Sequence, residues 1–245
     1  MIWLYVEAPF AVCRTFTAGW YRPTATFLTP SAAYGLILNF AAIESRLREG
    51  EDGHDGKTPS SLTASGLPAM KLALGAAAEN RQGDPIDFDH AFPRVQSVYQ
   101  QLHNYPVGAS GKERAEDCKG NKYNITPVRR EFLSGLRAVI GIDSDEGTLE
   151  RIRRGLAGEL PRYGVPFLGD NNFLLDRAEV LNDPMLAYWY RPVTEADIGP
   201  QQRTARLTIA IDRADLSRTT SQLFAPTREF TFNPPKEAWT KISHP

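Results

Sequence analysis

The 245-residue chain has few of the residue patterns that announce a chemistry by themselves. Its two cysteines, Cys13 and Cys118, stand in unrelated contexts without paired spacing, which excludes a zinc ribbon and a disulfide framework and leaves two ordinary thiols. There are four histidines. His54 lies in an acidic stretch, His244 is near the last residue, and His90 and His103 share no metal-ligand spacing with each other or with a neighbouring acid. A phosphate loop, a nucleophile elbow and a His-Glu-x-x-His pair are all missing, so neither a metal nor a cofactor is expected. Excess charge is also missing, the formal net charge being -1. A polyanion partner is therefore not predicted from bulk charge, and any contact with nucleic acid must rest on local patches. Long hydrophobic runs are absent as well. The opening MIWLYVEAPF has no basic leader, and Glu7 and Pro9 interrupt it, which argues against a signal peptide or membrane span and for a cytoplasmic protein without a membrane partner.

What is present has a readable order. Residues 2–6, IWLYV, form an apolar, β-prone run suited to a central strand. In the loop that follows, Thr29 and Pro30 make an N-cap and first-helical-position pair, and Leu36, Phe40, Ile43 and Leu47 fall on one helical face. Residues 45–68 are polar, rich in Gly, Ser and Pro, and read as a surface insertion. MKLALGAAA, 70–78, reads as a strand, while RVQSVYQQLHNY, 94–105, fits strand or helix. The segment 106–127 has almost no apolar content and leads into REFLSGLRAVIGID, a buried strand; this places an arm or hairpin tip at about 105–127. A second helix is predicted over 148–162, with Leu149, Ile152, Leu156 and Leu160 inward, Arg151, Arg153 and Arg154 outward, and Pro161 helping to stop it. A loop and a strand over 163–181 complete a β-α-β-β-α-β order. The fold class is thus α+β: a ferredoxin-like (RRM-like) domain over 1–181, with two helices covering one face of an antiparallel sheet. Residues 182–245 are β-rich and are expected to form a smaller second sheet.

Three clusters carry possible chemistry. The first loop offers Arg14, Phe16, Trp20, Tyr21 and Arg22 ahead of a helix N-terminus; rings stack on unstacked bases and guanidinium groups pair with phosphates. The plainer alternative is that Trp20 and Tyr21 close one end of the core. The arm and the strand after it carry Lys112, Arg114, Lys119, Lys122, Arg129, Arg130 and Arg137 against Glu113, Glu116, Asp117 and Glu131, a local basic surplus. It fits a partner-binding arm or a solvated loop of mixed charge. FLGDNNF, 167–173, brings Gly169, Asp170, Asn171 and Asn172 together, residues that permit close backbone approach and that also make any tight turn. For catalysis, Tyr99, His103 and Lys112 could assemble a metal-free RNA-cleaving site, with histidine moving protons and lysine stabilising the phosphorane; a lone histidine is more often structural.

Two segments, APFAVCRTFTAGWYRPTATFLTPSAAYGLILNFAAIE (8–44) and RYGVPFLGDNNFLLDR (162–177), resemble the Cas five family of CRISPR-associated proteins, in its Dev or Myxan branch. The resemblance implies a repeat-associated RNA-binding (RAMP) fold with a protruding β-hairpin thumb. It implies a type I effector complex in which this subunit grips the 5′ handle of the guide RNA and caps the backbone filament. Arg14, Tyr21 and Arg22 would meet phosphates or bases with Tyr34 nearby, the glycine-rich loop would follow the second helix, and the arm would be the thumb. The implied partners are the handle, the adjacent backbone subunit, the large subunit and target DNA near the protospacer-adjacent motif. One branch of the family cleaves precursor RNA with a tyrosine and an adjacent lysine and histidine. This chain has no Lys-His pair, so a non-catalytic subunit is expected, served by a separate processing nuclease. A metal-independent endoribonuclease and a structural subunit with little RNA contact are the alternatives.

Overall fold

A computed structural model describes residues 1–15, 21–47, 62–80, 82–106, 123–195, 197 and 202–242, with backbone alone for 101–106 and 123–126. Four strands form its centre: β1 (Ile2–Ala11), β3 (Met70–Ala77), β5 (Tyr123–Asp143) and β6 (Arg177–Leu181). Their order across the sheet is β6-β1-β5-β3, and every neighbouring pair is antiparallel. Helix α1 (Pro30–Phe40) follows β1, and α3 (Glu146–Leu156) follows β5. The fold is therefore α+β with a large antiparallel sheet and few helices.

Leu4, Val6 and Ala8 of β1, Leu136, Ala138, Ile140 and Ile142 of β5, and Leu72 and Leu74 of β3 share one buried cluster with Ile37 and Phe40 of α1 and Leu149 and Ile152 of α3. Each such leucine, isoleucine or phenylalanine, fully buried, contributes roughly 1.5–3 kcal/mol. The two helices cross so closely that a Cβ on Gly155 would lie 1.6 Å from the Phe40 carbonyl oxygen; only glycine admits that crossing. On the opposite face Tyr5, Val139 and Trp189 form a smaller cluster, flanked by the tilted rings of Trp3 and Trp239.

The start of α1 follows the sequence reading, while α3 begins two residues before the expected 148, at Glu146 behind the Asp145 cap. Thr29 caps α1 through its hydroxyl, which accepts the Ala32 N–H at 3.2 Å, with Pro30 in the first turn. The helix stops depart from it. The predicted continuation through Ile43 and Leu47 fails because Ala42 takes φ 53°, closing the end through Ala42 N–H to Asn39 O and Ile43 N–H to Leu38 O. The same closure ends α3 before Pro161 is reached: Gly158, at φ 81°, donates to Gly155 O and Glu159 donates to Arg154 O. Arg151, expected on the outward face of α3, turns back to donate to Ala41 O at 2.9 Å and Ala42 O at 2.8 Å. It thereby covers the unsatisfied carbonyls at the end of α1.

The ambiguous segment 94–105 is a strand, β4 (Arg94–Pro106), preceded by the single turn α2 (Phe88–Ala91). β4 pairs antiparallel with β5 from Arg94↔Ser134 to Pro106↔Tyr123, a long two-stranded ribbon; residues 107–122 of the expected thumb lie outside the described residues. The separate C-terminal sheet is not what forms. β7 (Ala187–Pro192) pairs with β3 through Gly75↔Trp189, and β9 (Thr220–Pro226) and β8 (Ala205–Ala210) continue the same sheet, while β10 (Thr240–Ile242) pairs with the other stretch of β3. Tyr188, Tyr190, Leu207 and Phe224 belong to the main buried cluster, so these strands complete the core. Of the insertion 45–68, both described ends pair, Leu47 N–H donating to Leu62 O and Ala64 N–H to Ser45 O.

Candidate nucleic-acid interface

The chain leaves β1 and returns on itself through a fixed stem. Arg14 and Thr24 form an antiparallel bridge, the Cys13 N–H donates to the Thr24 hydroxyl at 2.9 Å, and the Ala25 N–H donates to Cys13 O at 2.7 Å. Phe16 and Trp20 lie in the part of this loop outside the described residues. Burial pushes the Cys13 thiol up to about 11, which keeps it protonated and unreactive.

The returning limb places Tyr21 and Arg22, as the short strand β2, parallel to β5 with Tyr21 beside Arg129 and Arg22 beside Arg130. The Tyr21 hydroxyl donates to Glu131 Oε1 at 2.5 Å, and the Thr24 N–H donates to Glu131 Oε2 at 3.3 Å. The hydrogen bond to Glu131, with burial and the carboxylate charge behind it, raises the Tyr21 phenol above its ordinary pKa, so the ring is neutral. The Arg129 guanidinium carbon stands 5.4 Å from the ring centroid, a cation–π contact. A glutamate counted against the basic surplus thus fixes the ring offered for stacking.

Side chains alternate along a strand, and this divides the cluster between two faces of the ribbon. Tyr21, Arg129 and Glu131 share one face with Tyr99, which lies opposite Arg129 and is 70% exposed. Arg130 is on the other face, where it donates to Gln100 Oε1 at 2.6 Å and Asp170 Oδ2 at 2.8 Å. Beside it Phe10, Phe132 and Phe173 pack with centroids 5.6–6.0 Å apart. Burial works against the Asp170 carboxylate, but the Arg130 hydrogen bond, the Asn172 amide and the charges of Arg130 and Arg14 outweigh it and hold the pKa below the ordinary value.

The glycine-rich loop is built against the end of β1. Val12 N–H donates to Leu168 O at 3.0 Å, and Gly169 takes φ 80° with a would-be Cβ 1.8 Å from Val12 O. The close approach expected of this loop is therefore to the protein's own backbone. Asn171 and Asn172 are exposed at its tip.

Two predicted site residues need correction. Tyr34 is 2% exposed, in the core, with its hydroxyl donating to Pro68 O at 2.9 Å; it has no face for a base. Arg130 is already neutralised by Asp170, both side chains being about five-sixths covered at 17% and 16% exposure, so it positions the loop. Arg14 and Arg22 remain exposed. Lys112, Arg114, Lys119 and Lys122 lie outside the described residues, as does the His103 side chain, so the geometry of Tyr99, His103 and Lys112 is not described. Sequence reasoning missed Glu131 and the Asp170–Arg130 pair; an Asp in a tight turn and an Arg 40 residues before it carry no local signal of contact. Among the described residues no three His, Cys, Asp or Glu side chains converge to hold a metal, and no helix is long and apolar enough to cross a membrane.

No family model matches the chain, and no curated protein matches it. Solved structures do. A chain of a "CRISPR RNA-guided surveillance complex" aligns over 97% of this chain and 95% of its own length, at 14% identity and a TM-score of 0.52. A structure described as "Crystal structure of Cas protein" aligns over 96% and 99% at 12% identity, with a TM-score of 0.42. The first likeness establishes a shared fold over nearly the whole of both chains.

Proposed function

We propose that this chain is a non-catalytic subunit of a type I CRISPR RNA-guided effector complex, working in the cytoplasm, that grips the 5′ handle of the guide RNA and caps the backbone filament. The observation that carries this reading is the fold shared end to end with a chain of an RNA-guided surveillance complex. Two features support it further. The antiparallel order β6-β1-β5-β3, with α1 and α3 joining strands that are not neighbours and packing into one core, supports reading this part of the chain as a ferredoxin-like RAMP domain. The exposed Arg14 and Arg22 lie in the same loop and short strand as Tyr21, whose ring sits 5.4 Å from the Arg129 guanidinium carbon, groups suited to phosphates and an unstacked base. The β4–β5 ribbon would carry the thumb toward the adjacent backbone subunit. The large subunit, target DNA beside the protospacer-adjacent motif and a separate processing nuclease complete the proposed partners.

The test is filter binding of the purified chain to repeat-derived RNA across a salt series in EDTA. Arg22→Ala should weaken all handle variants alike and reduce the slope of log affinity against log salt by about 1, while Tyr21→Ala weakens binding at an unchanged slope. Unchanged affinity and slope in Arg22→Ala would remove the handle from this surface. A defined cut in the RNA would favour the endoribonuclease reading instead.

A further inference from the structure

The sheet has one edge unlike its others. Among the described residues β4 pairs only with β5, so its far side carries a row of backbone N–H and C=O groups without a ladder partner. Its pairing runs without a register shift from Arg94 to His103, and all seven residues from Arg94 to Gln100 are exposed. Val95 at 42% and Tyr99 at 70% open one face, and Val98 at 49% opens the other. Edges are ordinarily protected by shortness, charge, proline or bulges. β6 and β8, which end the sheet, are five and six residues long, and β6 carries Arg177 and Glu179. β4 has no such protection, since residues 95–102, VQSVYQQL, include neither a charge nor a proline.

The sequence of this edge is complementary to itself. In an antiparallel pair, opposite residues lie on the same face, and faces alternate along each strand. Two copies related by a two-fold axis can therefore meet only where opposite residue numbers differ by an even number. A centre at Ser97, the middle of the exposed run, sets Arg94 opposite the second copy's Gln100, Val95 opposite its Tyr99, Gln96 opposite its Val98 and Ser97 opposite its counterpart. The branched and aromatic side chains then cover one another, and no like charges meet. A centre at Gln96 would set Tyr99 opposite Pro93, which has no N–H to give, and a centre at Val98 would set Val95 opposite Gln101. A centre at Arg94 would oppose two guanidinium groups.

We propose that in the free chain β4 pairs antiparallel with β4 of a second copy, centred on Ser97, so that two sheets join across a two-fold axis. Nothing along the edge selects a foreign strand: from Arg94 to Gln100 it holds one cation and no acid, which gives no charge pattern for a partner to match. The self-pairing, by contrast, covers all three exposed apolar side chains. A seven-residue ladder is smaller than the roughly 800 Å² per partner of a standard interface, so the association is weak and lies in the micromolar range. The proposal goes beyond the RNA-binding reading and does not depend on it.

The experiment is sedimentation equilibrium of the nuclease-treated full chain across a wide micromolar concentration range, joined to disulfide crosslinking. The mass should climb with concentration from that of one chain toward that of two. Ser97→Lys places two ammonium groups at the axis and should weaken association about tenfold, with an unchanged circular dichroism spectrum. Crosslinking reads the register in a Cys118→Ser background, Cys13 being buried. Under copper–phenanthroline oxidation Ser97→Cys should give a linked dimer, because opposite Cα atoms stand about 4.5–5.5 Å apart and a disulfide spans about 4.4–6.8 Å. Val95→Cys alone should not, its two copies being four residues, roughly 13 Å, out of register; mixed with Tyr99→Cys it should. A chain that stays monomeric throughout, or Ser97→Lys that associates as the wild type does, overturns the proposal. So does a dimer in which Ser97→Cys fails to crosslink, since the copies then meet elsewhere. Ser97→Cys that crosslinks to another polypeptide in cells and never to itself would assign the edge to a partner protein and overturn it as well. None of these results bears on the 5′-handle reading, which the salt series tests separately.

Discussion

Gly169→Ala tests whether the glycine-rich loop is fastened to β1 as described. The residue sits at φ 80°, a region that costs an alanine about 1–2 kcal/mol. Its new Cβ would stand 1.8 Å from Val12 O, so the loop must move and the Val12 N–H to Leu168 O hydrogen bond is lost, at about 1 kcal/mol. The sum is about 2–3 kcal/mol, which for a chain of this length lowers the melting temperature by about 4–12 °C. Gly164→Ala is the control, because a Cβ there meets nothing within 4 Å and the backbone is not left-handed; its effect should stay within about 0.5 kcal/mol. Thermal melts of both variants by circular dichroism decide the matter. The reasoning fails if Gly169→Ala melts within a degree of Gly164→Ala.

Gly155→Ala should destabilise by about 3 kcal/mol or more, since a methyl 1.6 Å from the Phe40 carbonyl oxygen must push α1 and α3 apart; urea denaturation reads it directly. Asp145→Ala should cost about 1 kcal/mol by removing the cap that accepts the Thr148 N–H at 2.9 Å, measured in the same titration. Asp145 and Asp170 both have pKa values lowered in the folded chain. Their contribution is therefore full above the ordinary carboxylate value of about 3.9 and is lost as pH falls through the folded values. Melting temperature should drop as pH goes from 5 to 3, less steeply in Asp170→Asn, and a flat profile over that interval would contradict the assigned partners.

Local signals were legible where one residue decides the structure. Thr29 and Pro30 announce a helix start because cap and ring act within one turn, and the apolar runs of β1, β3 and β5 mark buried strands. The stops were not legible at Ala42, since nothing in an alanine signals a left-handed turn, and Gly158 was passed over for the more conspicuous Pro161. The position of β7 depends on pairing with Gly75–Ala77 more than a hundred residues away, and a β-rich tail reads the same whether it extends a sheet or builds another. At the candidate site, aromatic and arginine content was readable from the sequence, but its division between two ribbon faces was not. That follows from the register of β4, β5 and β2, which also gives Arg130 to Asp170 and Tyr21 to Glu131. Tyr34 was misplaced because a helix that is apolar almost all round buries the face a tyrosine would otherwise expose.

The central claim is that this chain holds the 5′ segment of a guide RNA, and the measurement that addresses it is sequencing of the RNA recovered with the purified protein. Tagged chain should be isolated from cells expressing its own repeat array, its RNA extracted, and the 5′ ends mapped. The account predicts a population of repeat-derived RNAs sharing one 5′ segment, retained at moderate salt and reduced in Arg22→Ala. Protein free of RNA, or carrying cellular RNA without a common 5′ segment, would contradict it.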